Sequence, residues 1–93
     1  MDQSDKREYS KDEIVNLGLS DWELYVARNE IYARHGRGFR NKELQDYFDS
    51  CSWYKKTTEP DKFDQSVLSE VEIKNANLIT EIEQERQSPY LKQ

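Results

Sequence analysis

"LSDWELYVARNEIYARHG", residues 19–36, is the stretch whose reading decides the fold. Ser20 and Glu23 have the spacing of a capping box, in which each side chain satisfies a free backbone N–H at a helix start. Leu19 and Leu24 stand at the positions of a hydrophobic staple, and Gly36 supplies the left-handed stop after the last turn. Together these signals predict a helix over 20–35. At about 100° per residue, Glu23, Ala27, Glu30 and Arg34 share one narrow stripe, with Glu30 and Arg34 as an i, i+4 ion pair. Most of the remaining wheel is bulky: Trp22, Leu24, Tyr25, Val26, Ile31 and Tyr32. A helix apolar round most of its girth is enclosed by its own fold. This is therefore the central helix of an all-α domain, with the other helices packed round it.

The same grammar extends outward. In "YSKDEIVNLG", residues 9–18, Ser10 and Glu13 form a second capping box, Tyr9 and Ile14 a second staple, and Gly18 a second stop. "GRGFRNK", residues 36–42, is a turn from which Asn41 caps a third helix over 42–50. Leu44, Tyr47, Phe48 and Cys51 make its apolar stripe. "SWYKKTTEPDKF", residues 52–63, is a loop broken by Pro60, with Trp53 and Tyr54 folding back as lids on the core. Asp64 is expected to cap the last helix, stapled by Phe63 and Leu68 and running to about Arg86. Its Val67, Leu68, Val71, Leu78, Ile79 and Ile82 fall within an arc of about 120°. No segment alternates as a strand would. The expected fold is a compact four-helix domain at 9–86 with a long aromatic loop before the last helix. A disordered lead-in at 1–8 and a frayed tail at 87–93 flank it.

Composition narrows the function. The 93 residues are one domain at most. Hydrophobic residues make up only 34%, but 12% aromatics let few residues build a core. Fourteen basic against nineteen acidic residues leave a net charge of −5, which argues against nucleic-acid binding, since phosphate neutralisation needs a basic surface. One cysteine excludes an intrachain disulfide, and one Cys with one His cannot make a structural zinc site. No cofactor or metal is expected. No run of about 18 apolar residues reads as a membrane span, and no signal-peptide core follows Met1. Met1 is read as the start of a piece excised from a longer chain, whose signal or anchor segments lie elsewhere.

Arg28, Asn29 and His35 fall on the bulky arc of the central helix, and Asn75 falls amid the apolar arc of the last. A buried polar group without a partner costs about 1–3 kcal/mol, and a charge costs more. Arg28 is therefore expected to meet a carboxylate or several carbonyls. These four residues are expected to tie segments 36–41 and 51–63 to the helices, with Tyr32 in the same structural polar network as Arg28, Asn29 and Asn75. A catalytic reading of His35 with Cys51 needs contact, an orienting third group and a pocket. Cys51 on an apolar stripe reads instead as a small buried hydrophobe. His35 before Gly36 reads as a group that caps carbonyls or complements the helix dipole. No residue is assigned a catalytic role.

The binding candidate is the turn from Arg34 to Lys42. It carries Arg34, His35, Arg37, Arg40 and Lys42 around Phe39, with no acidic residue, in an acidic chain. Such a turn can attract an anionic wall polymer, a lipid headgroup or an acidic protein segment. The competing use of these charges is pairing with Glu70, Glu72, Glu81, Glu83 and Glu85 of the last helix. Trp22, Trp53 and Tyr54 would make an interaction patch if exposed, but the core is their expected place.

The residues also resemble a known family. Tyr32, Ala33, Arg34, His35 and Gly36 spell the pentad that names the YARHG domain. The resemblance continues in Phe39, "ELQDYF" at 43–48, "WY" at 53–54, "LSEVE" at 68–72 and Asn75, covering about residues 12–83. Gly38 departs from it, because a bulkier residue is expected before Phe39. The resemblance implies an extracellular bacterial module that occurs beside membrane anchors, peptidase domains and kinases, and whose molecular function is not established. The expected role is a non-catalytic accessory or binding module of a bacterial surface protein, monomeric by itself, meeting an anionic cell-envelope ligand through the basic turn. The alternative is a protein-interaction or regulatory module acting on an attached peptidase or kinase domain.

Overall fold

Three of the helices open on a Ser-x-x-Glu capping box with both reciprocal bonds formed: Ser10 with Glu13, Ser20 with Glu23, and Ser69 with Glu72. The structure is a computed structural model and describes residues 5–92. Helix α1 spans Lys11–Asn16, α2 Asp21–Ala33, α3 Lys42–Asp49 and α4 Glu70–Glu85. Short 3-10 turns occupy Pro60–Lys62, Gln65–Val67 and Pro89–Lys92. Among the described residues the only strand-like pairing is an isolated parallel bridge between Arg37 and Thr58.

The last helix begins later than expected. The Asp64 side chain accepts from the Ser66 N–H and closes the 3-10 turn Gln65–Val67. Leu68 then leaves that turn extended, at ψ 140°, and Ser69 opens α4. An Asx turn has taken the Asp64 carboxylate that was expected to cap the helix. Val67, expected on the core arc, is consequently half exposed.

The core has two parts, and α2 supplies both. Its Leu24, Ala27 and Ile31 pack with Ile14 of α1, Leu68, and Ala76, Ile79 and Ile82 of α4. Its Tyr25 and Ala33 pack with Leu44 and Phe48 of α3. Ile31, Phe48 and Ile79 are wholly buried, each stabilising the fold by about 1.5–3 kcal/mol. Ala27 is buried too, although it shares a stripe with the charged Glu23, Glu30 and Arg34. Helix α1 leans chiefly on α4, where Lys11 pairs with Glu85 and Glu81.

Both flanks make fixed contacts in their described residues. Residues 1–4 of the expected disordered lead-in lie outside the described residues. Residues 7–9 are held by Asn75, whose Oδ1 accepts from the Tyr9 N–H at 2.8 Å and whose Nδ2 donates to the Arg7 carbonyl at 2.8 Å. At the other end, Ser88 is buried, and the Tyr90 ring stacks on Tyr25 at 4.9 Å and meets Trp22 edge-on at 5.5 Å. Within the expected frayed tail, the described residues Pro89–Lys92 form a packed turn, because two rings of α2 give Tyr90 an aromatic seat. In the long loop, Tyr54 packs on Phe48 at 5.6 Å. Trp53 touches Phe48 edge-on at 6.0 Å but stays 49% exposed, so only Tyr54 acts as a lid.

Candidate functional site

Helix α2 ends in a Schellman motif: the Gly36 N–H donates to the Ala33 carbonyl at 2.9 Å and the Arg37 N–H to Tyr32 at 3.4 Å. Gly36 takes φ +82°, which only glycine adopts freely. Its carbonyl accepts from the N–H groups of Thr57 and Thr58, and the Gly38 N–H donates to the Thr58 carbonyl. The Tyr54 hydroxyl donates to the Arg37 carbonyl at 2.7 Å. The Gln45 side chain accepts from the Phe39 N–H at 2.8 Å. This turn is thus fastened on both sides, and the side chains leaving it have fixed origins. Lys56 crosses over Gly38, where an added Cβ would stand 2.5 Å from its Cε.

The turn forms one wall of a cleft of about 600 Å³. Arg37, Phe39, Arg40 and Asn41 come from the turn. Tyr25, Arg28 and Asn29 come from α2, Leu44 from α3 and Pro60 from the loop. Inside the cleft the arginines are not equivalent. Arg28 donates from Nε to Glu83 Oε1 at 2.6 Å and from Nη2 to Oε2 at 3.4 Å, and Glu83 is wholly buried. That charge is balanced within the fold. Arg37 lies over the rings of Tyr32, Phe39 and Phe63 at 5.2, 5.5 and 5.9 Å. Burial, aided by the nearby charges of Arg28 and Arg40, pulls its guanidinium below the ordinary arginine value. Among the described residues no carboxylate lies within 4 Å of Arg37 or of the exposed Arg40.

The other basic candidates are engaged elsewhere. Arg34 pairs with Glu30 at 3.3 Å and Asp5 at 3.7 Å. Lys42 pairs with Asp46 at 2.9 Å. His35 Nε2 stands 3.0 and 2.9 Å from the two Glu72 carboxylate oxygens. It therefore links the end of α2 to the capping box of α4 instead of capping its own helix. Of the six residues singled out in the basic turn, the structure brings Arg37, Phe39 and Arg40 together in the cleft and leaves the other three outside it.

The sequence reading missed Tyr25, Asn41, Leu44 and Pro60 as cleft residues. Pro60 carried no signal, since only the fastening of residues 57–58 to the turn brings it near. Asn29 donates to the Tyr25 carbonyl at 2.8 Å within α2, and Arg28 and Asn75 bind α4 and residues 7–9. Segments 36–41 and 51–63 are instead fastened by Tyr54, Gln45 and the backbone, as described above. The Cys51 thiol donates to the Tyr47 carbonyl at 3.5 Å, and no hydrogen bond joins it to His35 among the described residues. Among those residues no group of three His, Cys, Asp or Glu side chains is placed to hold a metal ion. No helix there is long and apolar enough to cross a membrane.

The model of one family, the YARHG domain, matches residues 1–84. The chain belongs to the YARHG domain family. Comparison with curated proteins and with solved structures returned no match. In this YARHG domain the pentad closes α2. Tyr32 lies under Arg37 and meets Phe63 edge-on at 5.9 Å. Ala33 is 2% exposed in the second core cluster. Arg34 and His35 make the ion pairs above, and Gly36 makes the Schellman turn. The residues that define the YARHG family therefore build the corner from which Arg37, Phe39 and Arg40 reach the cleft. The family match stops short of the Pro89–Lys92 turn.

Proposed function

We propose that this YARHG domain is a non-catalytic, extracellular accessory module of a bacterial surface protein, and that it holds an anionic cell-envelope partner in the cleft beside residues 37–41. The observation that carries the reading is the pair Arg37 and Arg40. Both line a concave site and neither has a carboxylate partner among the described residues. A partly desolvated guanidinium is costly unless an anion meets it. In a chain of net charge −5, two unpaired cations in one cleft are a local reversal of sign that would steer an anion there. The extracellular setting rests on the family.

The test is binding to an anionic envelope glycopolymer, a purified wall teichoic acid, across a salt series. Binding should weaken as salt rises, fall in Arg37→Gln and Arg40→Ala, and persist in Lys42→Ala. No binding at low ionic strength would overturn the reading. A second reading, an interaction module acting on an attached domain, draws on the half-exposed rings of Tyr47 and Trp53, which flank Phe48. Trp53→Ala would then weaken contact with that domain and leave anion binding unchanged.

A further inference from the structure

We infer that the cleft prefers a carboxylate carried on an apolar body to a bare polyanion, which would bind there more weakly; this rests on the anion-binding reading above. The first ground is the make-up of the walls. Beside Arg37 and Arg40 stand Tyr25, Phe39, Leu44 and Pro60. A polyanion needs cations and water, and apolar walls add nothing to its binding. A ligand with an acid at one end and an apolar group at the other uses both halves, as small-molecule sites commonly do. About 600 Å³ also exceeds what a single ion needs.

The second ground is the setting of Arg37. Its guanidinium carbon lies over the faces of three rings. These contacts are with ring faces, and among the described residues no carboxylate takes the N–H groups of Arg37. A carboxylate can take two parallel hydrogen bonds from such a guanidinium. The third ground is charge. Glu83 already neutralises Arg28, so the free charge is that of Arg37 with the exposed Arg40 at the rim. One carboxylate facing Arg37 satisfies the inner group, and Arg40 draws the acid in.

Titration of the 93-residue chain with small probes tests this, followed by NMR shifts of the backbone and of the Arg37 side-chain Nε–H. The probes are acetate, inorganic phosphate, N-acetylleucine, N-acetylleucinamide and acetyl-Ala-Leu. N-acetylleucine should bind about tenfold more tightly than acetate, the gain from covering its side chain, with shifts at Phe39 and Leu44. The amide should lose about tenfold or more, the worth of a charge-assisted hydrogen bond. Arg37→Gln should do the same to the acid. Arg40→Ala, an exposed change that spares the fold, should weaken it about two- to fivefold. Acetyl-Ala-Leu binding more tightly than N-acetylleucine would identify a peptide chain end as the source. Equal affinity would identify a small free acid, and either result supports the inference. Acetate or phosphate binding as well as N-acetylleucine would overturn it and leave the anion cleft standing. So would teichoic acid binding where no small acid binds. The amide binding as well as the acid would overturn both readings.

Discussion

Gly18 and Gly36 form a matched pair for testing how the binding corner is built. Both have positive φ, +65° and +82°, where a residue with a Cβ costs about 1–2 kcal/mol. They differ in surroundings. A Cβ added at Gly18 meets nothing within 4 Å, whereas at Gly36 it would stand 2.1 Å from Thr57 Oγ1 and 3.2 Å from the Lys55 carbonyl oxygen and Thr57 Cβ. Thr57 is exposed, so its hydroxyl can turn away at a cost of about 1 kcal/mol. The Lys55–Thr57 backbone can retreat only by stretching the bonds from Thr57 and Thr58 to the Gly36 carbonyl, now 2.8 and 3.1 Å, at about 1 kcal/mol more. Gly36→Ala should therefore cost about 3–4 kcal/mol and Gly18→Ala about 1–2 kcal/mol. In a domain of this size a gap of about 2 kcal/mol separates the melting points by about 8–16 °C. Thermal and urea denaturation followed by far-UV circular dichroism measures it. Adding Thr57→Ala to Gly36→Ala should restore about 1 kcal/mol. Equal losses at the two glycines would refute the close approach of residues 36 and 57, and with it the fixed position of Arg37.

Glu83→Gln leaves Arg28 facing a neutral amide in a buried site and should cost about 2–4 kcal/mol. The joint change Arg28→Met with Glu83→Leu should cost less than the sum of its parts by denaturant titration. Asn75→Ala strands the buried Tyr9 N–H and should cost about 2–3 kcal/mol, read as a drop in melting point of about 10–20 °C. Hydrogen bonds from Arg7, aided by the Ser10 backbone N–H, hold the Glu13 carboxyl down at about 2. A depressed value stabilises the fold above the ordinary carboxylate range, and the contribution fades as pH falls from about 4.5 toward 2. The melting point of Arg7→Ala should therefore fall less over that interval than that of the parent, and parallel curves would contradict the pairing.

The fold was largely legible because its punctuation is local. Ser10, Ser20 and Asn41 announce helix starts by their own side chains, and Gly18 and Gly36 announce stops. The start of α4 was missed because Asp64 and Ser69 are both competent caps five residues apart, and an Asx turn decides between them. The order of the tail was missed because Tyr90 packs on Trp22 and Tyr25, about 65 positions earlier in the chain. The site was legible only in part. Charge spacing marked the 34–42 turn, but whether a cation is paired depends on three-dimensional neighbours. Glu72 takes His35 and Glu30 takes Arg34, while the fastening of 57–58 brings Pro60 opposite Arg37 to make a cleft. No wheel or spacing rule carries that last placement.

The most direct test of the central claim is a shift map of the 93-residue chain titrated with an anionic probe at low salt. The account places the perturbed signals at Arg37, Phe39, Arg40, Asn41 and Leu44, with the Arg37 Nε–H moving most. Perturbations centred on Lys42, Lys55 or the other exposed lysines, with the Arg37 signal unmoved, would contradict it.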